Sequence, residues 1–282
     1  DDRFEYSVDI WGNTWHRILG MSAGGEIGRP AIQDWAMLDD YRMPGLDDPA
    51  RYASVRAAFA AAGDRYRVSM LPGLPFAICR YLRRMEVYLQ DLLLERDNVE
   101  CLHDRVAGLL ERMVDRYVEC GADGIFTCED WGTQERLLVS PELWRDIFKP
   151  LYRRLVDHIH SRGAHFLLHS CGYNWDIIDD LAEVGVDALQ FDQPAIYGLD
   201  RLGEKLQSLG VCLHAPVDIQ RVLPTGDRTL IEAEARKMIR LFGGKRGGFI
   251  ARQYGDLHGI GVEPEWDRWA YDIFANEGAI AP

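Results

Sequence analysis

The sequence predicts an α/β fold of the (β/α)8 TIM-barrel type, and three observations carry that prediction. Short apolar runs alternate with amphipathic, capped segments from one end of the chain to the other. Polar and ionisable residues gather just after the apolar runs, where the carboxyl ends of parallel strands carry chemistry. No GxGxxG motif follows any run, which weakens the open, doubly wound alternative.

The strand-like runs are residues 6–11, 67–71, 124–128, 164–169, 188–191, 211–214 and 248–251. A closed barrel of this type has eight strands and typically ~250 residues. The chain opens almost directly with a strand, so the first strand of the barrel is expected to be missing from it.

Helices fall between the runs. Residues 98–120 carry Leu102, Val106, Leu109, Leu110, Met113 and Tyr117 at helical spacing and stop at Gly121. Ser140-Pro141-Glu142 reads as an N-cap followed by proline in the first turn, opening a helix that runs to Gly163. Residues 175–184, 229–242 and 264–276 each end at or near glycine. Residues 75–95 read as a helical hairpin on the barrel surface or over its mouth. No linker or low-complexity tract divides the chain, so residues 1–282 are expected to form one domain.

Composition narrows the function classes. Hydrophobic residues make up 47% of the 282, enough for a full core. The net charge of -13 repels phosphate backbones and anionic lipid, so neither nucleic acid nor a membrane surface is an expected partner. No apolar stretch approaches the ~20 residues of a membrane helix. The opening DDRFEYSVDI lacks the basic segment of a signal peptide. The six cysteines are scattered through predicted helices and strands, as reduced thiols of a cytoplasmic protein would be.

The most informative stretch is AHFLLHSCG, residues 164–172. Side chains alternate along a strand, so His169 and Cys171 point to the same side, about 7 Å apart along the backbone. An imidazole and a thiol so placed can share one metal ion, and that ligand pair favours zinc over magnesium or calcium. The alternative is a buried histidine bonded to a carbonyl beside an inert thiol.

Other strand ends supply further candidates: Asp9 and Trp11, then Cys128-Glu129-Asp130-Trp131-Gly132 with Gln134 behind, then Asp192-Gln193-Pro194. His214 with Asp218 follows, and last Arg252-Gln253-Tyr254-Gly255-Asp256 with His258. Each also has a plain structural reading. Glu129 and Asp130 can cap a loop, and which of them points inward stays open. Asp192-Gln193-Pro194 can be turn chemistry. His214 can be structural, and Cys128 a buried thiol.

Zinc held by two or three protein groups keeps an open position. That position can acidify a water for hydrolysis or hold a substrate thiol as thiolate, and a thiolate-rich shell favours the second. No HExxH, GxSxG or P-loop supports the common hydrolase and kinase templates.

HSCG after a buried strand, followed by NWDIIDDLAEVGVDALQFDQP, resembles the uroporphyrinogen decarboxylase superfamily. The likeness extends through LLVSPELWRDIFKPLYRRLVDHIHSRGAHFLLHSCG to VDIQRVLPTGD and GVEPEW. The resemblance implies a (β/α)8 barrel. The superfamily includes zinc-dependent methyltransferases that move a methyl group from a corrinoid protein to a thiol such as coenzyme M. In that branch a His-x-Cys pair and a later cysteine on the last strand bind zinc. His169 and Cys171 match the pair, whereas Tyr254 stands at the later position. Glu129 is the candidate replacement, with Asp130, Cys128 and His258 behind it. In the decarboxylase branch a catalytic aspartate matches Asp9. That branch clamps substrate with arginines of an N-terminal segment, which this sequence is expected to lack, and its histidine on the last strand is again replaced by Tyr254.

The resulting expectation is a zinc-dependent methyltransferase acting between a corrinoid, or a small methylated substrate, and a thiol. His169, Cys171 and Glu129 are its expected metal ligands. Asp9, Glu129, Asp130, Gln134 and Tyr254 are its expected catalytic residues. Trp11, Trp131, Asp192, Gln193, His214 and Asp256 are expected to bind substrate. A corrinoid protein and a second copy of the chain are the expected macromolecular partners. The rival readings are a metal-independent decarboxylase-like lyase centred on Asp9 and a non-catalytic binding subunit on the same scaffold.

Overall fold

The computed structural model describes residues 3–19, 25–244 and 247–278. The chain forms two compact units, one of Asp1–Cys128 with Ser161–Ala164 and one of Glu129–His160 with His165–Pro282.

The first unit opens with an antiparallel sheet. Strand β1 (Phe4–Val8) pairs with β2 (Thr14–Ile18), and β2 pairs with β3 (Glu26–Arg29). This corrects the expected parallel strand at residues 6–11. The strand stops at Val8 because Asp9 organises a turn. Its Oδ1 accepts the amides of Trp11 and Asn13, both at 2.9 Å. Its Oδ2 accepts the Asn13 amide group at 3.0 Å and the Trp15 indole at 2.7 Å. Gly12 takes the left-handed φ of +86° that the turn needs. A short polar side chain that bonds to amides two residues on is a turn signal. In the sequence the apolar alternation around Asp9 masks it.

The chain continues through α1 (Ala53–Ala60), β4 (Val68–Met70), α2 (Pro75–Leu82), α3 (Met85–Leu94), α4 (Arg96–Glu119) and β5 (Gly124–Cys128). β4 and β5 are parallel, with Ser69 opposite Ile125. The α2–α3 pair is the expected helical hairpin. On α4 the apolar stripe Leu102, Val106, Leu109, Leu110 and Met113 is buried, as its spacing requires.

The second unit contains α5 (Pro141–Ser161), β6 (His165–His169), α6 (Ile178–Glu183), β7 (Ala188–Gln190), α7 (Leu199–Leu209), β8 (Cys212–Ala215), α8 (Arg228–Phe242), β9 (Phe249–Ala251) and α9 (Pro264–Glu277). Strands β6 to β9 are parallel and adjacent in chain order. Neighbouring parallel strands joined by helices are the βαβ unit. Ser140 caps α5 by accepting the Leu143 amide at 3.1 Å. The helix expected over residues 175–184 is a 3-10 turn followed by the single short helix α6. Helices α1 and α7 are additions to the sequence reading. Leu199, Leu202 and Leu206 bury one face of α7.

Six of the seven expected parallel strands are thus formed among the described residues, and the fold is α/β as predicted. The six cysteines form no disulfide with one another among the described residues. No helix among the described residues is long and apolar enough to cross a membrane.

His103 on α4 is buried, and its Nε2 lies 2.5 Å from the Tyr88 hydroxyl of α3. Burial, reinforced by the charge of Arg96, pushes its pKa down from 6.5 to about 3. Above pH 6.5 both folded and unfolded states leave this ring neutral. Below that pH the unfolded chain takes up a proton that the folded chain refuses, so stability falls until pH is near 3. Denaturant unfolding followed from pH 7.5 to 4.5 tests this. The wild-type slope should exceed that of His103→Gln by up to one proton, about 1.4 kcal/mol per pH unit. Equal slopes would contradict it.

Candidate metal centre

Two loop segments of the second unit, residues 129–133 after β5 and 169–173 from the end of β6, run side by side as a continuation of strand pairing. The Glu129 amide donates to the His169 carbonyl at 2.9 Å, and the Gly132 amide to the Cys171 carbonyl at 3.1 Å. The Tyr173 amide donates to the Thr133 carbonyl at 2.7 Å. The Cys171 amide donates to Asp130 Oδ1 at 2.9 Å, and the Trp131 amide to Ser170 Oγ at 3.1 Å.

Only glycine fits where the segments touch. A Cβ on Gly172, whose φ is +79°, would lie 2.2 Å from the Gly132 carbonyl oxygen. A Cβ on Gly132 would lie 2.4 Å from the Tyr173 nitrogen. Asn174, fully buried, locks the second segment by donating to the carbonyls of Ser170, Cys171 and Gly172. The Tyr197 hydroxyl adds a bond to the Gly172 carbonyl at 2.5 Å.

This frame brings together donor atoms of Asp130, His169 and Cys171, all within 4.8 Å of one another. His169 Nε2 lies 3.1 Å from Cys171 Sγ and 3.3 Å from Asp130 Oδ1. Among the described residues this is the one such group of three. A thiol, an imidazole and a carboxylate are a donor set suited to a divalent ion.

The other ring nitrogen of His169 fixes the tautomer. Nδ1 bonds to Gln190 Oε1, the next strand's residue in register. The Gln190 amide group donates in turn to Asp192 Oδ1 at 2.8 Å, which settles its orientation. Nδ1 therefore carries a hydrogen, and Nε2 can turn a lone pair to an ion. Arg252 Nη1 closes the chain on Asp192 Oδ1 at 3.2 Å.

The electrostatics suit a cation. Burial alone would lower the His169 pKa. Its bonds to Asp130 and Cys171, and the charges of Cys171 and Asp192, outweigh burial and push it up to about 11. The cluster thus favours a positive charge at Nε2, which a proton supplies and a metal ion can replace.

The structure places the other expected residues as follows. Glu129 is turned into the core, only 1% exposed. Its Oε2 accepts the Tyr152 hydroxyl at 2.5 Å, and that hydroxyl accepts the Trp131 indole at 2.8 Å. Adjacent residues of an extended segment point to opposite sides, so Glu129 faces inward where Asp130 faces the His-Cys pair. The donor that joins the pair is therefore Asp130, in place of Glu129. Trp131 is likewise fully buried, packed on Trp144 and Phe148. It belongs to the core and lines no open surface.

Asp192 belongs to the support of His169. Gln134 and Gln193 bond to each other at 3.0 Å. Burial raises the Tyr254 pKa, and the charges of Asp192 and Cys171 add to the rise. His214 stands in register with Gln190. Asp256 is exposed and accepts the Gly259 amide at 2.9 Å, capping a turn. Asp9 and Trp11 lie in the turn between β1 and β2 already described, where four bonds engage the Asp9 carboxylate. Gln190 was missed in the sequence. Its signal was a lone polar side chain ending an otherwise apolar strand.

A model of the uroporphyrinogen decarboxylase (URO-D) family matches residues 19–255. The chain belongs to this family. Its α/β fold is shared by a solved methyltransferase from Methanosarcina mazei, with a TM-score of 0.67 at 17% identity over 98% of this chain and 76% of that one. A D-psicose 3-epimerase solved with D-fructose matches at a TM-score of 0.48 and 12% identity, over 87% of this chain and 88% of that one. A xylose isomerase-like TIM-barrel protein from Mycobacterium smegmatis matches at 0.43 and 15%, over 90% and 93%. No curated protein matches the chain.

Gly163 provides a control for the contact at Gly172, since it has the same φ of +79° with nothing within 4 Å of an added Cβ. Both alanine variants bear the cost of left-handed backbone, about 1–2 kcal/mol. Only Gly172→Ala adds a backbone clash, so thermal unfolding should show a far larger loss for it than for Gly163→Ala. Equal losses would mean that the two segments do not touch as described.

Proposed function

We propose that the protein is a zinc-dependent methyltransferase of the URO-D family that passes a methyl group from a corrinoid, or a small methylated compound, to a thiol. The observation that carries the reading is the convergence of Asp130, His169 and Cys171 donor atoms within 4.8 Å. Family membership supports it, and the name of the Methanosarcina mazei protein is in keeping with it.

Three protein donors would leave a position open for substrate. When bound there, zinc would acidify a coordinated thiol and hold it as thiolate at neutral pH. The chain's own residues prepare the place. Gln190 keeps a hydrogen on His169 Nδ1 and so frees Nε2. Asp130 grips the Cys171 amide, which fixes one donor relative to another. Asp192 and Arg252 anchor Gln190. In the proposed transfer the substrate sulfur would bond to the methyl carbon as the bond from that carbon to its donor breaks, the electron pair leaving with the donor, while Asp130, His169 and Cys171 would hold the ion that keeps the sulfur ionised.

Metal analysis after dialysis against limiting zinc tests the assignment. The wild type should retain one equivalent, and Cys171→Ala and His169→Ala should lose it. Gln190→Leu should weaken binding about 10–100-fold, the usual effect of removing a ligand's hydrogen-bond partner. Glu129→Gln should keep the metal. Full zinc retention in Cys171→Ala would refute the reading. Transfer itself is read by the loss of methylcobalamin absorbance when zinc-loaded protein and 2-mercaptoethanol are mixed.

A further inference from the structure

Parallel pairing sets His169, Gln190 and His214 opposite one another on β6, β7 and β8. Residues in register on parallel strands leave the same face of the sheet. The first two belong to the donor group and its support, but His214 has no such duty. Its Nδ1 is buried and has no hydrogen-bond partner among the described residues. The ring as a whole is only half-buried. The charged and titratable groups that act on it are Arg252, Asp192 and His169, all members of the site.

The state of the ring follows from these facts. Burial, then Arg252, outweighs the opposing charge of Asp192 and pushes the His214 pKa down to about 4, so the imidazole is neutral. A neutral imidazole has one N–H and one bare nitrogen. Buried N–H groups without an acceptor are rarer in folded proteins than buried acceptors without a donor. Placing the hydrogen on Nε2 leaves the enclosed Nδ1 as the bare nitrogen and no ring N–H buried without a partner.

We propose that His214 is a substrate-binding residue whose Nε2–H donates a hydrogen bond to an acceptor oxygen of the substrate held beside Asp130, His169 and Cys171. The inference rests on the proposed thiol methylation and narrows its substrate. The acceptor is a thiol that also carries a hydroxyl, carbonyl or carboxylate oxygen, and a purely hydrocarbon thiol lacks the group that His214 recognises. His214 offers a donor and no charge, so it selects for an acceptor oxygen without requiring an anion.

The test uses the cobalt(II)-substituted protein, whose visible absorption changes when a thiol joins the metal. Ethanethiol and 2-mercaptoethanol, which differ by one hydroxyl, are titrated into wild type, His214→Leu and His214→Gln. One neutral hydrogen bond is worth roughly 3–10-fold in affinity. The wild type should favour 2-mercaptoethanol by about that factor. The preference should vanish in His214→Leu and persist in His214→Gln, whose amide keeps a donor. The ratio compares two ligands on one protein, so a general loosening of the site cancels from it. A preference that survives in His214→Leu, or is absent from wild type, overturns the inference and leaves the metal–thiol reading standing. If neither thiol perturbs the cobalt spectrum of wild type, that reading fails and takes this inference with it.

Discussion

Everything at the candidate centre depends on the side-by-side contact of two short segments, residues 129–133 and 169–173. Backbone bonds between them put an aspartate next to a histidine and a cysteine that follow a different strand. The contact is possible because Gly132 and Gly172 have no side chains. A rigid frame of this kind matters for a metal centre. Donors held by packing and hydrogen bonds need little reorganisation to bind an ion, whereas donors on loose loops must first be ordered.

The second constraint is electrical. Asp130, Cys171 and Asp192 surround one imidazole, and the outcome is a site that demands positive charge. Arg252 answers part of that demand from the Asp192 side. The remainder falls at Nε2 of His169. Proton and metal ion compete for the same place, so metal uptake should release protons.

Much of this was legible in the residues. The alternation of apolar runs and capped helices marked six parallel strands at their positions, and β6 and β7, buried on both faces, carry the clearest unbroken hydrophobic signature. His169 and Cys171 were readable because strand periodicity alone puts them on one side. The N-terminal hairpin was not readable, since an aspartate-capped turn between two alternating strands resembles a strand end. The choice between Glu129 and Asp130 was not readable either. It turns on which side of an extended segment meets the core, and Tyr152 and Trp131, which draw Glu129 inward, become its neighbours only on folding. Gln190 escaped because its importance lies in register with His169, a relation between strands that no single run displays.

In the proposed centre one sulfur, one imidazole and one carboxylate grip a single divalent ion. X-ray absorption at the zinc edge of the metal-loaded protein tests it most directly. One sulfur per zinc is expected at about 2.3 Å, lost in Cys171→Ala, with nitrogen and oxygen ligands at about 2.0–2.2 Å. A shell of nitrogen and oxygen alone in the wild type would contradict it.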